Sequence, residues 1–160
     1  MPTSTLHVSS PSFANGTSIP VRYTADGEDI SPPLAWSGVP AETKSVVVLV
    51  DDPDAPGSMN PFAHWLVYGL PPDLDGLPEG ASGHAAAHLP GGALEGTNSF
   101  RLVGYRGPAP PPGRPHRYRF TVAALDAWVE LKPGATRREL LAALDGHVLA
   151  QGEVVGLYGR

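Results

Sequence analysis

The chain has 160 residues, a formal net charge of −5 and no cysteine. This length predicts a single domain over residues 1–160 with an ordinary hydrophobic core, and the missing cysteines exclude disulfides, thiolate chemistry and cysteine-bound metals. There is no basic cluster, no signal-like N-terminus and no apolar run near the ~20 residues of a membrane span, so we expect a cytoplasmic protein with no nucleic-acid partner and no integral membrane segment.

The first third of the chain predicts short strands. Thr5 to Ser9 and Ile19 to Thr24 alternate apolar and polar residues, which is typical of half-buried strands. Asn15-Gly16 predicts a turn between them. After a polar loop, Leu34 to Trp36 predicts one more short strand.

The strongest strand patterns are Ser45 to Asp52 and His64 to Leu70. The first contains a β-branched run and ends at Asp-Asp-Pro-Asp-Ala-Pro, where two prolines supply no backbone donors. Asp73 to Asn98 has no sustained period and predicts a long surface excursion, with short strand pairing at most.

The second half predicts more strands and one helix. Phe100 to Tyr105 and Val154 to Tyr158 resemble short strands, and Pro115 to Asp126 alternates like an antiparallel strand. Thr136 and Glu139 have the spacing of a capping box.

An apolar stripe at helical spacing follows that capping box, formed by Leu140, Leu141, Leu144 and Val148, and Gly152 is expected to end the helix. Together the elements predict a mostly β fold: an antiparallel β-sandwich with Greek-key connections and one late α-helix.

Two clusters of residues could perform chemistry. Asp52 and Asp54 end one strand and His64 begins the next, while His116 and Tyr118 follow a proline-rich loop. If these strand ends converge, a carboxylate beside an imidazole favours the imidazolium, whose N–H groups can bind an anion. Turn amides near Gly107 could add further donors.

Each feature also has an alternative explanation. His64 and His116 could be core histidines, and the acids could merely end strands. A metal site is disfavoured because no close ligand pair such as HExxH occurs, and His84 and His88 predict a solvated loop. The Pro108 to Pro112 run could dock an SH3-type groove, although a rigid pocket wall suits its position better.

These residues resemble the two signature motifs of the phosphatidylethanolamine-binding proteins. The first motif is Asp52 to Pro56 followed by His64-Trp65, and the second is Gly107 to Gly113 followed by His116-Arg117-Tyr118. Ala124 to Asp126 and Val155 to Tyr158 resemble the bacterial branch of that family, the Raf kinase inhibitor-like proteins of the YbhB/YbcL type. The resemblance extends over nearly the whole chain.

The resemblance implies a two-sheet β-sandwich with a small anion pocket at one end. It implies that Asp52 is the buried acid of the pocket, that His64 and His116 are its histidines and that Tyr118 lies on its rim. The remaining implied ligand-binding residues, in the loops that form the pocket, are Asp54, Pro56, Gly107 and Pro108. The implied ligands are phosphate and phosphorylated small molecules or lipid head groups.

No catalytic residue, cofactor or metal is implied by this resemblance. A kinase-like protein partner and a homodimer are implied as possibilities by its relatives. The segment from Gly57 to Ala63 is short and no helix follows Tyr158, so we expect a more open pocket than in animal members.

Two other functions remain open on sequence grounds. One is a hydrolase of phosphoryl or acyl esters that uses a pocket histidine as general base, although no nucleophile motif is present. The other is a kinase or protease inhibitor that acts by protein–protein contact. The leading hypothesis is a non-enzymatic anion-binding module.

Overall fold

The computed structural model describes residues 4–57, 61–83 and 87–160. Its strands are β1 Ser4–Thr5, β2 His7–Ser9, β3 Thr17–Ser18, β4 Leu34–Ser37, β5 Ser45–Asp52, β6 Phe62–Leu70, β7 Gly76–Leu77, β8 Leu94–Glu95, β9 His116–Leu125 and β10 Val148–Tyr158. The helix α1 spans Arg137–Leu144, and two short 3-10 turns cover Val21–Tyr23 and Pro90–Gly92. The mostly β prediction with one late helix is confirmed.

The strands form two sheets. The larger sheet has the order β1-β10-β9-β5-β6-β8, with β3 also paired to β10, and the smaller sheet has the order β2-β4-β7. Its long neighbouring strands are antiparallel, as expected, but β1 and β3 each add a short parallel pairing to β10. The larger sheet is therefore mixed at this end.

Strand β5 lies at the centre of the larger sheet and is buried on both faces. One face packs against the smaller sheet in the main core, which includes Val48, Phe120, Trp36 and Leu6. The other face packs beneath α1 in a second core that includes Val47, Leu66, Leu125 and Leu140. A strand covered on both sides reads as a continuous apolar run, which explains the sequence of β5.

Two predicted strands are wrong. Val21–Tyr23 forms a 3-10 turn after Pro20, and Val21 is exposed while Tyr23 is buried. Phe100 to Tyr105 is a loop, because the buried Asn98 amide binds the backbone of that segment: its nitrogen donates to the Gly104 carbonyl and its oxygen accepts from the amides of Phe100 and Leu102. Such side-chain bonds compete with strand ladders.

The helix starts where the sequence predicts and ends earlier. Thr136 and Glu139 form the expected capping box, but α1 ends at Leu144. Gly146 has φ +80°, a conformation that glycine adopts easily, and it turns the chain away from the helix. Gly152 therefore does not end the helix, because it lies within β10 together with Val148.

The long excursion from Asp73 to Asn98 contains the two short strands β7 and β8, which agrees with the limited pairing expected there. His88 is exposed in this excursion, and His84 lies outside the described residues. Within the described part of the chain, none of the helices is long and apolar enough to cross a membrane.

Candidate functional site

The predicted site residues converge because of antiparallel pairing. β5 is antiparallel to both β6 and β9, so the end of β5 lies beside the beginnings of its two neighbours. Asp52 is the last residue of β5, His116 is the first residue of β9, and His64 is near the start of β6. The end of the larger sheet at which these three strands meet therefore holds a carboxylate and two imidazoles.

A β-bulge positions His64. Val50 pairs with Trp65 and Asp51 pairs with Ala63, so the strand ladder skips His64. A bulge places two residues opposite one and re-aims a side chain. Here Trp65 remains in the main core while the neighbouring His64 ring contacts Tyr118, with 5.2 Å between the ring centroids.

The backbone of Arg106 fixes the His64 ring. Nδ1 of His64 lies 2.7 Å from the Arg106 carbonyl oxygen, and the Arg106 amide donates to the His64 carbonyl at 3.1 Å. A carbonyl oxygen only accepts, so Nδ1 carries the hydrogen and Nε2 is the remaining ring nitrogen. Burial lowers the pKa of His64, although the Arg106 carbonyl opposes this shift. The neutral ring is therefore favoured in the ligand-free protein.

Asp52 orients the other histidine. Nδ1 of His116 donates to Oδ2 of Asp52 at 2.7 Å, and Oδ1 of Asp52 accepts from the backbone amide of Asp54 at 2.7 Å. Asp52 thus fixes the ring of His116 and the turn after β5 at once. Asp52 does not orient His64, because the Arg106 carbonyl binds Nδ1 of that ring.

The side chain of Asp54 binds Arg117 instead of facing the two imidazoles. Its oxygens accept from Nε of Arg117 at 3.0 Å and Nη2 at 2.8 Å, and Oδ2 also accepts from the Arg117 backbone amide at 2.8 Å. The side-chain hydrogen bond from Arg117 lowers the pKa of Asp54 to about 2. Asp54 therefore tethers the loop after β5 to β9.

The converging side chains line a cavity of about 280 Å³. Asp52, Pro56, His64, His116 and Tyr118 are on its surface. Its other lining residues are Ala55, Phe62, Phe100, Ala109, Pro110 and Pro111. The segment from 109 to 111 forms one wall, which agrees with the rigid-wall interpretation of the proline run.

Two aromatic walls were missed in the sequence. The rings of Phe62 and Phe100 are 4.7 Å apart between centroids, and they lie 5.2 and 5.4 Å from the His64 ring. Phe62 precedes His64 by two residues in a strand pattern, a spacing that could have indicated a shared face. Phe100 carried no such signal, because its position depends on the loop held by Asn98.

Tyr118 lies inside the cavity and not on its rim. It is 1 % exposed, and its ring stacks on His116 with 6.4 Å between centroids. Burial raises the pKa of Tyr118 well above its ordinary value, so the phenol stays protonated. It can therefore donate a hydrogen bond or pack against a ligand, but it does not supply a negative charge.

Gly107 and Pro108 support the wall and are not among the lining residues described. The Gly107 amide donates to Oδ1 of Asp29 at 2.6 Å, and the Pro108 carbonyl accepts from the Ala25 amide at 3.0 Å. The Gly107 amide is thus already used within the protein, which corrects the expectation that it would bind an anion.

Arg160 holds the same wall from the other side. Its guanidinium binds both carboxylate oxygens of Asp26, at 2.8 and 3.0 Å, and donates to the Pro110 carbonyl at 3.2 Å. The Arg160 carbonyl accepts from the Gly113 amide at 3.2 Å. The proline wall is thus bonded to two separate segments of the chain.

Among the residues that the structure describes, no group of three or more histidine, cysteine or acidic side chains could hold a metal ion.

Comparison with known proteins matches the chain to a family model described as phosphatidylethanolamine-binding protein, over residues 9–159. A UPF0098 protein of Methanothermobacter thermautotrophicus is 49 % identical over 142 residues, which cover 89 % of this chain and 91 % of that protein. A UPF0098 protein of Aquifex aeolicus is 44 % identical and covers 97 % of this chain and 89 % of its own.

Solved structures agree with this assignment. A putative phosphatidylethanolamine-binding protein homolog of Chlamydia trachomatis has a TM-score of 0.86 at 38 % identity, with 99 % of each chain covered. Escherichia coli YbcL, titled a new member of the mammalian PEBP family, has a TM-score of 0.91 at 32 % identity and covers 98 % of this chain and 99 % of its own. The chain therefore belongs to the phosphatidylethanolamine-binding protein family.

Proposed function

We propose that the cavity binds a small oxyanion: inorganic phosphate, or the phosphoryl group of a small molecule or lipid head group. The observation that carries this proposal is the shared arrangement of the two histidines. Each ring uses Nδ1 on a protein oxygen, His64 on a carbonyl and His116 on a carboxylate, and each ring lines the cavity. In the described part of the chain, Nε2 of both rings is left for a ligand.

The protonation state of these rings determines what they bind. A neutral imidazole with its hydrogen on Nδ1 has only a lone pair on Nε2, whereas an imidazolium has an N–H donor there. An anion therefore favours protonation of Nε2, and a protonated His116 forms an ion pair with Asp52 at 2.7 Å. Anion binding and proton uptake are coupled in this arrangement.

The size and walls of the cavity suit a phosphoryl group with a small organic part. Its volume of about 280 Å³ is close to the lower end of ligand pockets, which begin at about 300 Å³. Phe62, Phe100 and the proline wall supply apolar contacts for the organic part. Hydrolysis is less well supported, because no serine, threonine, cysteine or lysine is among the lining residues described.

Calorimetric titration tests the proposal. Phosphate and phosphoethanolamine are titrated at constant ionic strength, and release of phosphate from phosphoethanolamine is monitored in the same samples. We expect saturable binding of both compounds without turnover. If neither compound binds, the proposal is contradicted. Steady release of phosphate would replace it with an enzymatic function.

Affinity for phosphate is expected to fall as the pH rises from about 5.5 to 8. An anion bound at Nε2 of His64 requires a proton there. Burial lowers the pKa of His64, so its protonation requires more acid than that of an ordinary histidine. Titrations in buffers of different ionisation enthalpy would measure net proton uptake. A flat affinity with no proton uptake across this range would refute the coupling.

Loss of the hydrogen bonds of the Arg160 guanidinium is expected to weaken phosphate binding by about threefold to tenfold, as removal of one or two hydrogen bonds does. Arg160→Gln removes the bidentate pair with Asp26 and loosens the wall that contains Pro110. Arg138→Gln is the matched control, because Arg138 is exposed and does not line the cavity. Equal phosphate affinities of the two variants would show that the hydrogen bonds of Arg160 do not shape the cavity.

A further inference from the structure

A second polar cleft lies on the opposite face of the larger sheet. We call it the arginine cleft, and the lining residues that the argument uses are Asp51, Arg119, Thr121, Arg137, Gln151 and Glu153. The polar residues Thr5, His7 and Asn15 also line it, together with Leu6, Val8, Leu49 and Gly152. Its volume is about 690 Å³. Successive strand residues face opposite sides of a sheet, so Asp52, at the end of β5, faces the histidine cavity while Asp51 faces this cleft.

Two guanidinium groups share one buried carboxylate in the arginine cleft. Asp51 is 3 % exposed. Its Oδ1 accepts from Nε of Arg119 at 2.8 Å, and its Oδ2 accepts from Nη2 of Arg137 at 3.1 Å. Two positive charges therefore meet one negative charge, and the group of three side chains has a surplus of one positive charge.

The position of Arg137 increases this surplus. It is the first residue of α1, and the N-terminus of a helix has a partial positive charge that disfavours cations and attracts anions. A positive side chain at this position is disfavoured, and an anion nearby offsets that cost. Asp51 supplies part of that compensation, and it already serves Arg119 as well.

The guanidinium groups also have donors that the protein does not fill. Each guanidinium has five N–H groups, and the structure records a hydrogen bond to Asp51 from one nitrogen of each. Nε of Arg137 is buried and has no hydrogen-bond partner in the described part of the chain. A buried donor without a partner is unfavourable, and a bound ion or water commonly satisfies it.

We infer that the arginine cleft is a second oxyanion site, which binds a carboxylate or a phosphate group between Arg119 and Arg137. The planar forks of the two guanidinium groups match the paired oxygens of such anions. Thr121 and Gln151 supply neutral donors in the same cleft. Glu153 also lines it and opposes an anion, so it sets the upper limit of the affinity.

This site is independent of the cavity that contains His64 and His116. The two share no lining residue, and the described lining of the arginine cleft contains neither His64 nor His116. Failure of one proposal therefore leaves the other unaffected.

Amide chemical shifts measured by NMR test the inference on the intact chain. Sodium phosphate and sodium acetate are titrated separately at fixed ionic strength against chloride, and the signals of Arg119, Thr121 and Arg137 report on the cleft. We expect saturable shifts with at least one of the two anions. If phosphate alone saturates, the ligand is a phosphate group, and if acetate also saturates, the site accepts carboxylates.

Variants test which side chains carry the affinity. Arg137→Gln is expected to weaken binding about tenfold or more, as removal of a charged hydrogen-bonding partner does, while Glu153→Gln is expected to strengthen it. Arg138→Gln is the matched control, because it removes the same charge one residue away on the exposed side of the helix. Glu153→Gln keeps the test decisive if Arg137→Gln fails to fold. No saturable shift, equal loss in Arg138→Gln or no gain in Glu153→Gln would overturn the inference.

Discussion

Replacement of His64 by alanine is expected to weaken phosphate binding about 10- to 100-fold, the range for loss of a hydrogen bond to a charged group. The variant removes Nε2 of a ring whose other nitrogen is fixed on the Arg106 carbonyl at 2.7 Å. It leaves the His116–Asp52 pair in place. Calorimetric titration with phosphate at pH 6 measures the effect.

His88→Ala is the control for this variant, because His88 is an exposed histidine that does not line the cavity. His64 is 3 % exposed, so thermal unfolding of both variants must accompany the titration. His64→Gln keeps more of the side-chain volume and serves as the second variant if the alanine variant unfolds early. Unchanged affinity in folded His64 variants would refute the assignment of the cavity.

Gly107→Ala is expected to lower the free energy of unfolding by about 1–3 kcal/mol, the usual range for overpacking. A methyl group at this position would collide with the carbonyl oxygen of Tyr23 and lie 2.8 Å from the Thr24 Cα and 2.9 Å from Oδ1 of Asp29. These atoms are backbone or hydrogen-bonded, so they cannot easily move aside. The collision is also expected to displace the proline wall and weaken phosphate binding.

Gly16→Ala is the control for the collision, because Gly16 has φ +81° but open space around it. We expect a loss of stability below that of Gly107→Ala, from backbone strain alone, and no change in phosphate affinity. Thermal unfolding and titration of the two variants measure both effects. If Gly107→Ala were as stable as Gly16→Ala and bound phosphate normally, the supporting role of Gly107 would be wrong.

The sequence predicted the centre of the fold because local pattern and burial agree there. The predicted strand Ser45 to Asp52 matches β5, and the predicted His64 to Leu70 lies within β6. Antiparallel neighbours then bring Asp52, His64 and His116 together. These parts depend on side-chain periodicity and on a pairing rule, both of which can be inferred from one chain.

Other parts depend on contacts between residues distant in the sequence. The partner of His64 is a backbone carbonyl 42 positions away, and the Gly107 amide is taken by Asp29, 78 positions away. Neither residue type nor spacing reveals such a bond. The segment from Phe100 to Tyr105 has the apolar pattern of a strand, but the side chain of Asn98 binds its backbone and holds it as a loop. The pattern of the segment alone does not reveal these bonds.

NMR observation of the ring nitrogens in protein labelled with ¹⁵N-histidine, with and without phosphate at pH 6, tests whether His64 and His116 bind the anion. We expect Nδ1 of His64 and His116 to carry hydrogen in both states. We also expect Nε2 of His64 to shift toward the protonated value when phosphate binds, and the Nε2 signal of His116 to change with it. If phosphate left Nε2 of both rings unchanged while binding elsewhere, the two histidines would not be the anion ligands, and the proposed function of the cavity would be contradicted.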